Sequence, residues 1–129
     1  MELQFRQVPS DLAAVQSRSV SIPHLNITAT AIGSAETLFT VRENVTFQVK
    51  RLAVINTTGT AVTLSLHTVP SGGSAATGNA ELLGVSIPAN TASDLTDFIG
   101  GLYEAGTTFE VYSGTNGALV IHGWGEENL

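Results

Sequence analysis

From Leu25 onward the chain places apolar and polar side chains in short alternating runs separated by Gly, Asn and Pro. That is the pattern of consecutive half-buried strands in a sandwich or barrel. Residues 26–32 alternate and stop at Gly33, and a second run covers 37–41. In 44–56 the apolar phase changes, with Val45, Phe47 and Val49 on odd positions and Leu52 and Val54 on even ones. Such a change predicts a bulge near Lys50 and Arg51 or burial on both faces, and either way a central strand. Asn56-Thr57-Thr58-Gly59 then predicts a turn. Beyond it Val62, Leu64 and Leu66 alternate with Thr63, Ser65 and His67, so a hairpin with the preceding strand is expected.

The Gly- and Ser-rich run 70–79 predicts a long flexible loop without an apolar anchor. Strand patterning resumes over 81–87 and 91–95, and 98–103 predicts a single helical turn. The chain closes with runs at 108–112 and 118–124 around Gly114-Thr115-Asn116-Gly117, where the Asn-Gly pair favours a second hairpin. About eight strands follow, and the expected fold is all-β, a two-sheet β-sandwich or jelly-roll. Residues 1–24 lack this periodicity. Pro9-Ser10-Asp11 can open a turn of helix over 12–16 and Pro23 interrupts the chain again. Residues 1–24 are therefore expected to form an extended N-terminal arm and 25–129 the sandwich domain. The expected core is Val45, Phe47, Val49, Leu52, Val54, Val62, Leu64, Leu66, Leu83, Val85, Ile87, Phe109, Val111, Leu119 and Ile121.

Composition sharpens this picture. A chain of 129 residues with 43% hydrophobic and 12% charged residues fits one folded domain. No apolar run reaches the roughly 18 residues needed to span a bilayer, and Met1-Glu2-Leu3-Gln4-Phe5-Arg6 lacks the blocks of a signal peptide. No membrane partner and no export signal are expected. The absence of cysteine removes disulfides, thiolate metal sites and a cysteine nucleophile. Few Lys and Glu residues leave a surface of Thr, Ser, Ala and Gly, which suits permanent partners.

Charge is unevenly placed. All five basic residues (Arg6, Arg18, Arg42, Lys50, Arg51) precede Leu52, beside four acids, whereas the rest of the chain carries seven acids and neither Lys nor Arg. Nucleic acid would be repelled by that second part, so no nucleic-acid partner is expected.

Candidate chemistry is thin. The 71–79 loop lacks the Gly-Lys-Ser/Thr ending of a phosphate-binding loop and precedes no helix. Asp94, Asp97 and Glu104 could ligate calcium, or Asp94 and Asp97 act as a glycosidase pair, but solvated carboxylates at a turn account for them as well. His24, His67 and His122 are scattered, and no serine sits in a nucleophile elbow. No enzyme activity, cofactor or metal site is expected. The sequons at Asn26, Asn44 and Asn56 are what Thr-rich strands produce by chance. Trp124, between Gly123 and Gly125, and Tyr112 are candidate aromatics for a glycan or an interface.

The run Arg51-Leu52-Ala53-Val54-Ile55-Asn56-Thr57-Thr58-Gly59-Thr60-Ala61-Val62-Thr63-Leu64-Ser65-Leu66-His67-Thr68-Val69-Pro70-Ser71-Gly72-Gly73 resembles small structural proteins of tailed bacteriophages. Leu82-Leu83-Gly84-Val85-Ser86-Ile87-Pro88-Ala89-Asn90-Thr91, Tyr103-Glu104-Ala105-Gly106 and Gly117-Ala118-Leu119-Val120-Ile121-His122-Gly123 look like the same pattern, while 1–49 take no part. The resemblance implies a β-sandwich virion component of the capsid-decoration (cement) type, made in the host cytoplasm, trimeric, and bound on the capsid surface to the major capsid protein or other virion proteins. Its arm would supply the contacts, with Arg6, Arg18 and Arg42 as polar anchors and Leu3, Phe5, Val8 and Leu12 as apolar ones. A tail or head fibre module that binds a host-surface glycan or another virion protein is the alternative it implies.

Overall fold

A computed structural model describes residues 17–129. Among the described residues nine strands form: β1 (Ser17–Asn26), β2 (Glu36–Thr40), β3 (Thr46–Asn56), β4 (Val62–Val69), β5 (Ala80–Ile87), β6 (Ala92–Asp94), β7 (Leu102–Tyr103), β8 (Thr108–Ser113) and β9 (Leu119–Asn128). Single 3-10 turns at Ile32–Ser34, Thr77–Asn79 and Thr96–Phe98 complete the described elements. The first sheet runs β1-β9-β3-β6, with β7 pairing a separate stretch of β3, and the second runs β2-β8-β4-β5. All pairs are antiparallel. With the two-residue β7 set aside, this order is that of an eight-stranded jelly-roll. The expected all-β, two-sheet fold is the observed one.

Inward side chains of both sheets interdigitate. Phe47 of the first sheet meets Phe39 and Phe109 of the second at ring-centroid distances of 4.6 and 6.2 Å, and Tyr103 packs edge-on to Phe109 at 5.0 Å. Around them Leu52, Val54, Leu64, Leu66, Val111, Leu119 and Ile121 are fully or almost fully buried. The expected bulge in β3 lies between Val49 and Arg51, where the register with β9 shifts, and β3 is central in its sheet.

Both expected hairpins are corrected. β3 belongs to the first sheet and β4 to the second; β8 belongs to the second and β9 to the first. Each turn is an arch that crosses the core. Turn residues specify that the chain reverses, not the plane in which it does so. At the first arch Asn56 points inward and is 1% exposed. Its amide donates to the carbonyls of Thr60 (2.9 Å) and Ile87 (3.0 Å), while its oxygen accepts from the backbone and hydroxyl of Thr58. Every polar capacity of that amide is used inside the fold, which also removes Asn56 as a glycan acceptor.

Four crossings gather at this end of the sandwich. Thr57 donates its backbone N–H to Ala118, Gly117 donates to Ile27, and Asn90 donates to Thr58. At the opposite end Val41 and Gly106–Thr107 exchange backbone bonds.

Three further expectations change. Residues 17–24, assigned to the arm, form most of β1 and pair with β9 from Ser17 opposite Asn128 to Ile22 opposite Gly123. The alternation Arg18, Val20, Ile22 against Ser17, Ser19, Ser21 was masked by an arginine in the inward phase and by Pro23, at which the register shifts. Residues 27–31, expected to continue a strand, form the crossing between sheets instead.

Leu83 is 54% exposed and Leu82 takes its place in the core at 3%. Gly84 has φ +64° and donates its N–H to Ser65 Oγ at 2.9 Å. An irregular Leu83-Gly84 step opposite a shorter stretch of β4 moves the inward phase by one residue. Val85 is only partly buried.

Leu82→Ala is expected to lower unfolding free energy by about 2–4 kcal/mol, and Leu83→Ser by less than about 0.5 kcal/mol. Chemical denaturation of the two variants checks this, and equal losses would reject the shifted phase.

Candidate functional site

The outer face of the first sheet concentrates the unusual side chains of the molecule. Because alternate residues of a strand face one way, the ladder lays them out in rows. Ser21, Trp124 and Arg51 form the middle row. His24, His122, Ala53 and Asp94 lie on one side of it, and Ser19, Glu126, Gln48 and Leu102 on the other. Trp124 sits on β9 and Arg51 on β3, the two central strands, so this row runs across the middle of the sheet. The indole is 41% exposed and Leu102 is 63% exposed.

Local sequence explains why the tryptophan points out. Gly123 and Gly125 occupy the inward phase on either side of it, and a Cβ at these positions would collide with the carbonyl oxygens of Arg51 and Gln48 and with the Phe47 ring. The two glycines let the bulged β3 backbone and Phe47 approach β9 closely from within. The outward residue between them then carries the only large side chain of that triplet.

The imidazoles of His24 and His122 stack at 4.1 Å with an interplanar angle of 14°. Burial, then the neighbouring His24 and Arg51, hold His122 below the ordinary histidine pKa. Lys50, displaced by the bulge, reaches Glu126 at 3.6 Å. Asp94 accepts from the N–H (2.9 Å) and hydroxyl (2.6 Å) of Thr96; these bonds, with Arg51 a smaller contributor, hold its carboxyl below the usual range. Asp94 thus closes the turn after β6 rather than pairing with Asp97 across a cleft.

At the edge of this face lies a second arrangement. Glu127 points inward from β9 with its side chain 3% exposed. Arg18 donates from Nε to one of its oxygens at 2.8 Å, and Arg42 from Nε to both at 2.9 Å. Burial alone would raise the Glu127 pKa, but the bonds and charges of the two arginines outweigh it and hold the carboxyl below its ordinary value.

The structure therefore joins two of the residues expected as anchors for a partner, and directs their Nε groups to an internal carboxylate. Their side chains remain 65% and 51% exposed. Leu3, Phe5, Arg6, Val8 and Leu12 lie outside the described residues. Tyr112 and Trp124 are not brought together: Tyr112 is on the outer side of the second sheet, where its ring stacks over His67 at 5.7 Å.

His67 corrects the view of 70–79 as a loop without an anchor. Its imidazole is fully buried, and Nδ1 lies 2.9 Å from the Ala76 carbonyl and 3.0 Å from Asn79 Oδ1. The Asn79 orientation is fixed by the N–H of Ala76, which donates to its oxygen, and by its own amide, which donates to Ser74. Two acceptors at Nδ1 require the proton there. Nε2 is a buried nitrogen without a hydrogen-bond partner among the described residues. The loop is held by a polar anchor, which hydrophobic patterning does not register.

Among the described residues no group of three His, Asp or Glu side chains converges in a metal-binding arrangement. A shallow depression of about 320 Å³ lies beside the carboxylate clamp, lined by residues that include Asn44, Val45, Glu104 and Asn128.

Sequence reading singled out Trp124 and missed Arg51, the stacked histidines and Glu127. Glu127 had a legible signal, because it continues the inward phase of Leu119 and Ile121, and an acid in that phase needs a cation beside it. Comparison of the chain with models of protein families gives no match, and comparison with curated proteins gives none either.

Glu127→Gln is expected to reduce unfolding free energy by about 1–3 kcal/mol. The native carboxyl is held below its ordinary value, so its contribution is complete above the ordinary carboxylate range and is lost as pH falls toward the native pKa. Thermal unfolding between neutral and acid pH should show the wild type losing stability over this window while Glu127→Gln loses less. Parallel curves would exclude Glu127 as a source of the acid sensitivity.

Proposed function

We propose that this chain is a virion structural protein of the capsid-decoration type, a homotrimer that binds the major capsid protein or a neighbouring virion protein and stabilises the shell. The observation that carries the reading is where the phage-like stretches fall in the fold. Residues 51–73 run through β3, the first arch and β4; residues 82–91 run through β5 to β6; residues 117–123 lead from the second arch into β9. The resemblance thus follows the strand-and-arch framework of a jelly-roll, an architecture that recurs in viral capsid and lectin domains. Supporting it is an outer sheet face that presents Trp124 and Arg51, side-chain types that anchor protein contacts, beside the exposed Leu102.

In this reading residues 1–16 are the arm. That length spans at most about 55 Å when fully extended, enough to cross onto a neighbouring subunit, and Arg18 clamped on Glu127 would fix the point from which it departs. Three arms on one trimer would multiply attachment through effective concentration.

A second reading, a fibre module for a host-surface glycan, draws on the exposed indole of Trp124. Glycan-array binding that disappears in Trp124→Ala would favour it.

The deciding experiment mixes full-length protein, or protein lacking 1–16, with undecorated capsids and measures what sediments with them. Full-length protein should co-sediment, and the truncated form should fold with the same melting transition yet remain in the supernatant. Failure of the full-length chain to bind would reject the decoration reading, and equal binding by both forms would remove the arm from it.

A further inference from the structure

The two outer faces of the sandwich differ in charge. Among the described residues every Lys and Arg (Arg18, Arg42, Lys50, Arg51) belongs to β1, to β3 or to the turn that enters β3. The strands of the second sheet carry Glu36, Glu81 and Glu110 and neither Lys nor Arg. On the outer face of the first sheet, by contrast, Lys50 and Arg51 are matched by Asp94 and Glu126. The chain as a whole has a formal charge of −6, so two copies repel at long range. Of the second-sheet glutamates only Glu110 lies in the outward phase, because Glu36 accepts from the backbone of Thr28 and Ala29 and Glu81 from the Thr68 hydroxyl. Contact between two second-sheet faces would therefore oppose Glu110 to Glu110, with no Lys or Arg on the strands of either to balance them. The first-sheet face holds both signs in equal number around an exposed apolar centre, and its charges can be met by those of an identical face.

We propose that copies of this chain associate through the outer face of the first sheet, with Trp124 at the centre of the contact. This goes beyond the assembly reading above, on which it rests only in that copies associate: a contact between identical faces is two-fold and joins copies in pairs, so it is distinct from the head-to-tail contact that would close a trimer.

The geometry suits such a contact. Trp124 stands between Ser21 on β1 and Arg51 on β3, with His122 and Glu126 as its same-face neighbours along β9, so the side of the indole toward β1 is bordered by the small Ser19 and Ser21. Leu102 and Phe98, 63% and 52% exposed, extend the apolar surface toward the β3 side of the sheet. Charged residues flank this centre and one pair is already matched, Lys50 with Glu126. Aromatic anchors with polar surroundings are the usual anatomy of a protein contact. A strongly acidic partner would instead select a face of net positive charge, which this one is not.

Trp124 is the single tryptophan, so its emission reports directly on the face. Full-length protein is followed by sedimentation velocity across a concentration series, with acrylamide quenching of tryptophan emission measured on the same samples. The expected result is a mass that is a multiple of 13.4 kDa, with emission moving to shorter wavelength and quenching falling as the oligomer forms. Ser21→Arg, which alters an exposed edge position, should weaken association by about tenfold or more without changing the melting transition.

Lys50→Glu with Arg51→Glu makes the face acidic, and Glu126→Lys makes it more basic. Each variant should be weakened alone, and their mixture should recover a mixed oligomer, which a contact between identical faces requires and a contact made elsewhere does not. A wild type that sediments as a single chain at every concentration overturns the proposal. So does an oligomer whose indole stays fully quenchable, or one that Ser21→Arg leaves intact. An indole that responds only to added glycan overturns it in favour of sugar binding. Capsid co-sedimentation is scored separately, so a chain that binds capsids but pairs through another surface rejects the face and leaves the decoration reading standing.

Discussion

The pairing of β3 with β9 is the constraint on which the rest of the structure depends. It joins residues 46–56 to 119–128, from Thr46 opposite Asn128 to Asn56 opposite Leu119. These two strands meet only by closing the loop of chain between them, so the ladder carries a loop-closure cost. What offsets that cost is the inner face: Phe47, Leu52, Val54, Leu119 and Ile121 all leave water there. β1 attaches to the far side of β9, and β6 and β7 to the far side of β3. The outer side of the same ladder carries Trp124 and Arg51, so the face available to a partner is set by the register that closes the core.

Polar groups fix the ends of the sandwich where hydrophobic packing runs out. Asn56 organises the arch at one end, with all its hydrogen-bonding capacity used inside the protein. Glu127 does the corresponding work at the other, drawing together β1, β9 and the turn into β3. A buried carboxylate is tolerated only when paired and hydrogen-bonded, and here two arginines far apart in sequence supply that pairing. His67 differs, because Nδ1 holds the 70–79 loop in place while Nε2 has no partner among the described residues. Such specific polar contacts define one arrangement of strands, where apolar contacts alone would permit several.

Strand existence was legible in the chain because period-2 alternation and turn residues report local structure directly. The phase change in β3, its central position and the core positions of the well-patterned strands followed from that, whereas Ile22, Ile27, Leu38, Val41, Leu95 and Ile99, which also pack in the core, did not. Pairing was not legible. Asn56-Thr57-Thr58-Gly59 and Asn116-Gly117 signal reversal equally well for a hairpin within one sheet and for an arch between two, and the deciding contacts, such as Thr57 with Ala118, are long-range. Where local phase failed, backbone irregularity was the reason, as at Gly84, which exchanged Leu82 for Leu83. Pro23 and Arg18 likewise hid β1, the first because it breaks the ladder and the second because its partner Glu127 lies at the other end of the chain. Of the candidate face, Trp124 could be read and its neighbours could not, since Arg51, His122 and Asp94 come into line only through the register of β3 with β9 and β6.

The jelly-roll order also accounts for the separation of charge. The first strands of the chain alternate between sheets, β1 and β3 in the first and β2 and β4 in the second, so a chain with all its cations before residue 52 does not by that fact place them on one sheet. They gather because the basic segments are β1, the entry to β3 and the β3 bulge, and β1 and β3 both flank β9 in the first sheet. The second sheet draws on β2, β4, β5 and β8, where carboxylates are the only formal charges. The bulge is what exposes the basic pair: by taking one extra residue opposite β9 it lets Lys50 and Arg51 both stand clear of the core, where strict alternation would have turned one inward. A single irregularity in the central strand thus relieves a buried charge, makes the inward glycines beside Trp124 necessary, and supplies the cations that balance Glu126 and Asp94 on the outer face.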